Sequence, residues 1–185
     1  MQLLTYKFDV EQYQQMGKVG IFHPESRVEL IDGEIVVMSP IGLKHIATIN
    51  RMNYFLHSNI KENGIISTQN SIRLSNYSEP QPDIAILRPR DDFYAGKFPE
   101  AEDVLLLIEI ADFSLRYDQT NKLRLYAEYG ISEYWIANVE REIVEIYHQP
   151  NGKAYLKQTL IDSPDNAFTP IAFPAIVMTL KDIFG

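Results

Sequence analysis

Three side chains have the types and order needed for phosphoryl chemistry. Asp83 follows Pro82 and opens the apolar run Asp83-Ile84-Ala85-Ile86-Leu87. Glu109 closes a second run, Val104-Leu105-Leu106-Leu107-Ile108, and Lys122 follows inside the helix-like segment from Ser114 to Tyr129. A carboxylate at the end of a buried strand is costly unless it is paired, hydrogen-bonded or holding a metal. Two carboxylates converging beside a lysine would bind Mg²⁺ and leave an amine to act on a water or a phosphate. A metal-dependent phosphodiesterase is therefore the leading expectation.

Each residue also has a plainer reading. Asp83 can be a strand-edge aspartate making local turn bonds, as Pro-Asp pairs often do, and local sequence does not separate the two readings. Glu109 sits between Ile108 and Ile110, where a buried glutamate without a partner is rare, so function leads there. Lys122 lies four residues after Asp118, and spacing alone favours a surface i,i+4 pair. Glu29 could add a third carboxylate, but strand alternation turns it slightly toward the outward-facing reading. His45 could contact phosphate or move a proton, although a lone helix histidine is more often structural or exposed. Tyr126, Tyr129, Tyr134 and Trp135 read as packing rather than as a base-stacking platform.

The elements that must position these groups follow from local patterning. Asp9 can cap a short helix through Met16, with Gln12 as capping-box partner and Gly17 as the stop. Arg27–Ile31 and Glu34–Met38 flank Asp32-Gly33, a strong hairpin signal. A helix is predicted from Leu43 to Asn63, with Ile46, Ile49, Asn53 and Leu56 near one face and Gly64 as C-cap. Ile65 to Leu74 reads as one or two strands. The continuous apolar runs 83–87 and 104–110 suit central strands covered on both faces. The polar stretch Arg88 to Asp103, with Pro89, Gly96 and Pro99, is expected to be a loop over the site. A helix ending at Gly130, a strand at Glu133–Ala137, a hairpin around Pro150-Asn151-Gly152 and a short terminal helix complete a single mixed α/β domain, residues 1–185.

Composition limits the alternatives. The chain has 185 residues, 45% apolar and 23% charged, ordinary for a globular protein. No apolar run approaches the roughly 20 residues of a membrane span. The start, Met1 to Lys7, lacks the pattern of a signal peptide, so a cytoplasmic location is expected. The absence of cysteine excludes disulfides, thiolate metal sites and a cysteine nucleophile. There is no Gly-rich phosphate loop, no Gly-x-Ser-x-Gly elbow and no His-Glu-x-x-His, and the four histidines lack zinc spacing. The 25 acids against 17 bases, a net charge of −8, count against tight general DNA binding, which usually needs a basic surface.

Several strings in this order resemble the Uma2 family, also called DUF820. They are Val28-Glu29-Leu30-Ile31-Asp32-Gly33-Glu34-Ile35-Val36-Val37-Met38-Ser39-Pro40 followed by His45, then Pro82-Asp83-Ile84-Ala85 and Leu107-Ile108-Glu109-Ile110. The longest runs from Asp118 through Lys122 to Leu125-Tyr126-Ala127, Gly130-Ile131 and Glu133-Tyr134-Trp135-Ile136. The family is abundant in cyanobacteria and is regarded as having the restriction-endonuclease-like fold of PD-(D/E)xK nucleases. The resemblance implies a central mixed sheet flanked by helices, with extra β-hairpins. It implies Asp83 and Glu109 as ligands of Mg²⁺ or Mn²⁺, with the carbonyl of Ile110 beside them. The usual nuclease lysine stands two residues after the glutamate; that position here is Ala111, and the family pattern moves the amine to Lys122. Glu29 gains weight as a family-matching acid, and His45 a little.

The expectation is an endonuclease acting on nucleic acid, DNA in the first place, with Asp83, Glu109, Lys122 and Glu29 in its site, no membrane association, and a homodimer whose paired sites could cut both strands. The alternatives are a catalytically silent nucleic-acid-binding module and a protein-interaction module that kept the nuclease fold; the acidic charge favours the latter.

Overall fold

The two apolar runs form adjacent inner strands of a six-stranded sheet. The computed structural model describes residues 5–23 and 25–185. The sheet strands are β3 (Ile65–Thr68), β4 (Ile84–Leu87), β5 (Val104–Ala111), β6 (Glu133–Asn138), β7 (Ile143–Asn151) and β8 (Ala154–Ile161), in spatial order β3-β4-β5-β6-β7-β8. Only β5 and β6 pair in parallel, and the helical crossover between them spans α3 (Leu115–Tyr117), a π-helical turn (Asp118–Lys122) and α4 (Leu123–Glu128).

Side chains alternate across a strand, so each run feeds two cores. Ile84, Ile86, Leu106, Ile108, Ile110, Trp135 and Ala137 pack with Ile49, Met52, Leu56 and Ile60 of α2 (Leu43–Ile60) and with Leu180 and Ile183 of α5 (Leu180–Phe184). Ala85, Leu87, Leu107, Ala111, Tyr134 and Ile136 pack with Leu125, Tyr126 and Ile131 on the other face. Both faces are covered, which is why these runs are continuously apolar instead of alternating. Glu109 shares parity with Leu107 and Ala111, so the pleat aims it at the crossover helix. Among the described residues no helix is long and apolar enough to cross a membrane.

Helix α1 (Val10–Lys18) starts at Asp9 with the expected reciprocal Gln12 cap, but it passes through Gly17, and Val19 ends it. Helix α2 stops at Ile60 and continues as a 3₁₀ turn to Asn63. Gly64 is extended (φ −166°) rather than left-handed; Lys61 takes the positive φ of 51°. Its buried face also differs from the expected one: Ile46 is 44% exposed, while His45 and Thr48 point inward. The predicted strand region after Gly64 contains β3 alone, with Arg73 and Ser75 making isolated bridges.

The stretch from Arg88 to Asp103 does not cover the site. It joins the end of β4 at Leu87 to the start of β5 at Val104, which pair with each other, whereas Asp83 and Glu109 lie at the opposite ends of these antiparallel strands. Sequence adjacency to both strands could not tell which end the loop occupied.

The Asp32-Gly33 hairpin forms as expected between β1 (Val28–Ile31) and β2 (Glu34–Val37), with φ of 50° and 76° at the two turn residues. Both positive angles fit a type I′ turn. A Cβ on Gly33 would lie 2.7 Å from Lys7 Cβ. Gly33→Ala is therefore expected to cost about 1–2 kcal/mol, through backbone strain and this clash, read as a lowered urea midpoint.

Candidate active site

The register Ile84↔Ile108, continued by one residue, sets Asp83 opposite Glu109 at the strand ends. Pro82 precedes Asp83 and has no N–H to extend the ladder. Side chains complete the pairing instead. Asp83 N–H donates to Glu109 Oε2 at 3.3 Å, and Ile110 N–H donates to Asp83 Oδ2 at 2.9 Å. A strand residue's N–H and C=O point to the same side, so the Ile110 carbonyl is also directed toward Asp83. Asp83 Oδ1 meets His45 Nε2 at 3.1 Å and accepts from Gln69 Nε2 at 3.2 Å. His45 is thus buried against Asp83 rather than exposed.

Lys122 arrives from the crossover. Its Nζ donates to Glu109 Oε1 at 2.9 Å and lies 3.2 Å from Glu29 Oε2. The side chain is only 4% exposed, so the surface-pair reading fails. Asp118, its i−4 neighbour, is also buried and accepts from Ser114 Oγ at 2.6 Å. Tyr126, four residues further on, donates its hydroxyl to Glu109 Oε1 at 2.8 Å. The wider turn at Asp118–Lys122 is a π-type insertion, a feature often found at functional sites.

Glu29 comes from the β1–β2 hairpin and is buried rather than outward-facing. The hairpin is docked by the Leu30–Glu79 bridge, by Gln81 N–H donating to Glu29 Oε2 at 3.1 Å, and by an Arg124–Asp32 ion pair to α4. Strand alternation alone could not anticipate that the outer hairpin face meets Lys122.

These groups line a cleft of about 250 Å³, whose wall also includes Arg27, Val37, Phe113 and Tyr117. Its charge is unbalanced: Glu29, Asp83, Glu109, Asp112 and Asp118 line it with the Lys122 ammonium, the Arg27 guanidinium and the His45 imidazole. Burial, with the neighbouring Asp118, Asp83 and Glu29 carboxylates, pushes Glu109 up to about 8, although Lys122 acts in the opposite direction. Burial likewise raises Asp118 to about 6. Burial opposes ionisation of Asp83, but the bonds and charge from His45, with the Ile110 and Gln69 donors, hold it below its ordinary range. Burial opposes the charged form of Lys122 too, and Glu109, Glu29 and Asp118 outweigh it, so the amine stays protonated. Crowded like charges share protons. The cluster therefore keeps its ammonium, and Glu109 is the carboxyl most disposed to hold a proton.

A Mg²⁺-type ion needs one or two carboxylates, with waters completing its shell. Asp83 Oδ2 and Glu109 Oε2 each accept one backbone N–H, and a carboxylate oxygen has two lone pairs, so one remains on each. This donor set fits a hard divalent ion. Among the described residues no three His, Cys, Asp or Glu side chains are placed to hold one ion together, so its protein side-chain ligands would be the Asp83–Glu109 pair, with backbone and water completing the shell.

The structure brings Asp83, Glu109, Lys122, Glu29 and the Ile110 backbone together, with His45 alongside. Sequence reasoning weighed Asp118 only as a partner for Lys122 and assigned Tyr126 to packing. The available signal was the Asp118-Lys122-Tyr126 spacing, i, i+4, i+8, which puts three polar groups on one face of a helix covering a sheet.

The Uma2 family, described as "Putative restriction endonuclease", matches residues 10–181. No protein of curated function matches the chain. Among solved structures, a crystal structure of a "putative nuclease belonging to DUF820" from Anabaena variabilis ATCC 29413 superposes with a TM-score of 0.77. It is 17% identical and the match covers 96% of this chain and 97% of that one, a likeness that shows a shared fold. With the family match spanning nearly the whole sequence, the chain belongs to the Uma2 family.

Proposed function

We propose that this protein is a metal-dependent endonuclease that hydrolyses phosphodiester bonds in DNA. The observation that supports this most is the buried Lys122 ammonium, 2.9 Å from Glu109 and 3.2 Å from Glu29, beside the Asp83–Glu109 pair. An amine from the crossover helix thereby reaches the strand ends, although the position two residues after the glutamate is Ala111. A Mg²⁺ or Mn²⁺ ion held by Asp83 and Glu109, with the Ile110 carbonyl beside them, would supply an acidified water and Lewis-acid polarisation of the phosphate.

The remaining work belongs to the side chains. Lys122 carries three donors; two engage Glu109 and Glu29, and the third can orient the attacking water or meet negative charge developing on the phosphate. Glu29 fixes the amine, and His45 and Gln69 fix Asp83. A homodimer would offer one cleft to each strand of a duplex. The net charge of −8 favours a second reading, a nuclease-fold module without nucleic-acid affinity.

Supercoiled-plasmid cleavage distinguishes the two. Wild-type protein with Mg²⁺ or Mn²⁺ should nick the plasmid, and Asp83→Asn should slow nicking at least about 10²-fold. Failure of well-folded wild type to nick with either ion would favour the second reading.

A further inference from the structure

The Tyr117 hydroxyl is a buried polar group that the arrangement above does not use. The half-buried Tyr117 lines the cleft with Glu29, Asp83, Glu109, Asp118 and Lys122, and its buried hydroxyl oxygen has no hydrogen-bond partner among the described residues. Buried hydroxyls in native proteins are normally bonded, and the others around this site are. Tyr126 Oη donates to Glu109, Tyr134 Oη to the Asp118 carbonyl at 3.3 Å, and Ser114 Oγ to Asp118. Two other buried side-chain atoms lack partners, Arg73 Nε and Tyr155 Oη. Arg73 lines different grooves, and Tyr155 belongs to the tyrosine stack with Tyr134 and Tyr147.

Helix geometry explains how Tyr117 reaches this cleft. In a regular α-helix, residues five apart lie about 140° apart around the axis. The π-type turn from Asp118 to Lys122 widens the coil and narrows that angle. Tyr117 and Lys122 are five apart across this turn, so the insertion brings both to the cleft. Of the carboxylates lining the cleft, Glu29 Oε2 accepts from Gln81 N–H and faces Lys122, and Asp118 Oδ2 accepts from Ser114 Oγ; the Tyr117 hydroxyl bonds to neither residue.

We propose that the Tyr117 hydroxyl is a substrate-binding donor, giving its hydrogen bond to a non-bridging oxygen of the phosphodiester beside Lys122. This rests on the nuclease reading for the identity of the substrate. The hydroxyl suits donation at any working pH, since burial and the Glu29 carboxylate hold its proton more firmly than usual. A site crowded with carboxylates gains from a neutral donor there: it attracts an anionic substrate without adding a cation that the carboxylates would capture.

Tyr117→Phe removes only this oxygen. Three measurements test the role: thermal unfolding, fluorescence-anisotropy binding of a fluorescein-labelled 12-base-pair duplex in Ca²⁺, and plasmid nicking in Mg²⁺ or Mn²⁺ with Asp83→Asn alongside. The expected result is an unchanged or raised Tm with duplex Kd weakened about 10- to 100-fold, the range for a hydrogen bond to a charged group. That result without any wild-type nicking would support the hydroxyl's binding role and remove the nuclease reading. A Kd within twofold of wild type, alongside Asp83-dependent nicking, would overturn the role of Tyr117 and leave the nuclease standing. A Tm lowered by several degrees would overturn it too, by revealing an internal bond. Wild type that neither binds nor nicks would overturn both.

Discussion

Lys122→Met is expected to abolish nicking and to cost about 3–5 kcal/mol of stability at pH 9, the penalty for removing one partner of a buried ion pair. Methionine keeps the apolar stem, so packing is largely preserved and the loss comes from the charge. Glu109 Oε1 and Glu29 Oε2, at 2.9 and 3.2 Å from Nζ, would then face each other without a cation. The cost should shrink at pH 6. Glu109 already carries its proton there in wild type, given its rise to about 8, and has less charge for the amine to offset. Removing the amine raises that carboxyl further, so the folded state binds more protons than the unfolded chain and the variant gains stability as pH falls. Urea unfolding at the two pH values measures this. Adding Glu109→Gln should restore part of the stability at pH 9 but no nicking, which separates the structural role from the chemical one. A single variant as stable as wild type at pH 9 would show that the ammonium does not hold these carboxylates in place.

The parts of this arrangement visible in the sequence were those that depend on local pattern. Asp83 and Glu109 stood out because a carboxylate ending an apolar run needs a partner, and Asp32-Gly33 announced its hairpin because few residue pairs accept two positive φ angles. The central position of β4 and β5 was legible from their unbroken apolar character. What escaped was anything decided by contact between distant elements. Glu29 alternates like a solvent-facing strand residue and is buried only because the hairpin docks on Glu79, Gln81 and Arg124.

Lys122 shows the same limit from the other side. Its i,i+4 relation to Asp118 is compatible with a surface pair, and only the packing of the crossover against β5 makes both residues internal. Family resemblance raised the lysine above that reading where spacing did not. Neither source indicated the π-type turn, because an inserted helical residue leaves no mark until the flanking faces are both anchored. The loop after Arg88 lies away from its expected place for a related reason: an antiparallel pair has two ends, and the residues between the strands do not say which end gathers the carboxylates.

Divalent-ion affinity should rise about tenfold per pH unit from pH 6 to about 8 and then level off. Glu109, pushed up to about 8 chiefly by burial, holds a proton that an ion must displace, and metal binding to a protonated ligand releases that proton. Asp83 lies below its ordinary range and has none to lose in this window. Asp118, raised to about 6, contributes mainly at the lower edge, so the slope reports on Glu109. Calorimetric titration with Mg²⁺ or Mn²⁺ in buffers of different ionisation enthalpy should give close to one proton released at pH 7 and close to none at pH 9. The stability of the ion-free protein runs the opposite way. The Glu109 contribution is fully present below its ordinary value of 4.5 and is lost as pH rises through about 8. The ion should therefore raise Tm more at pH 9 than at pH 6, and Glu109→Gln should remove both the slope and most of the affinity. Affinity independent of pH across this range would mean that the ion is held without Glu109. The buried proton would then serve only to relieve repulsion among the four carboxylates, and Asp83 would need ligands other than its strand-end partner.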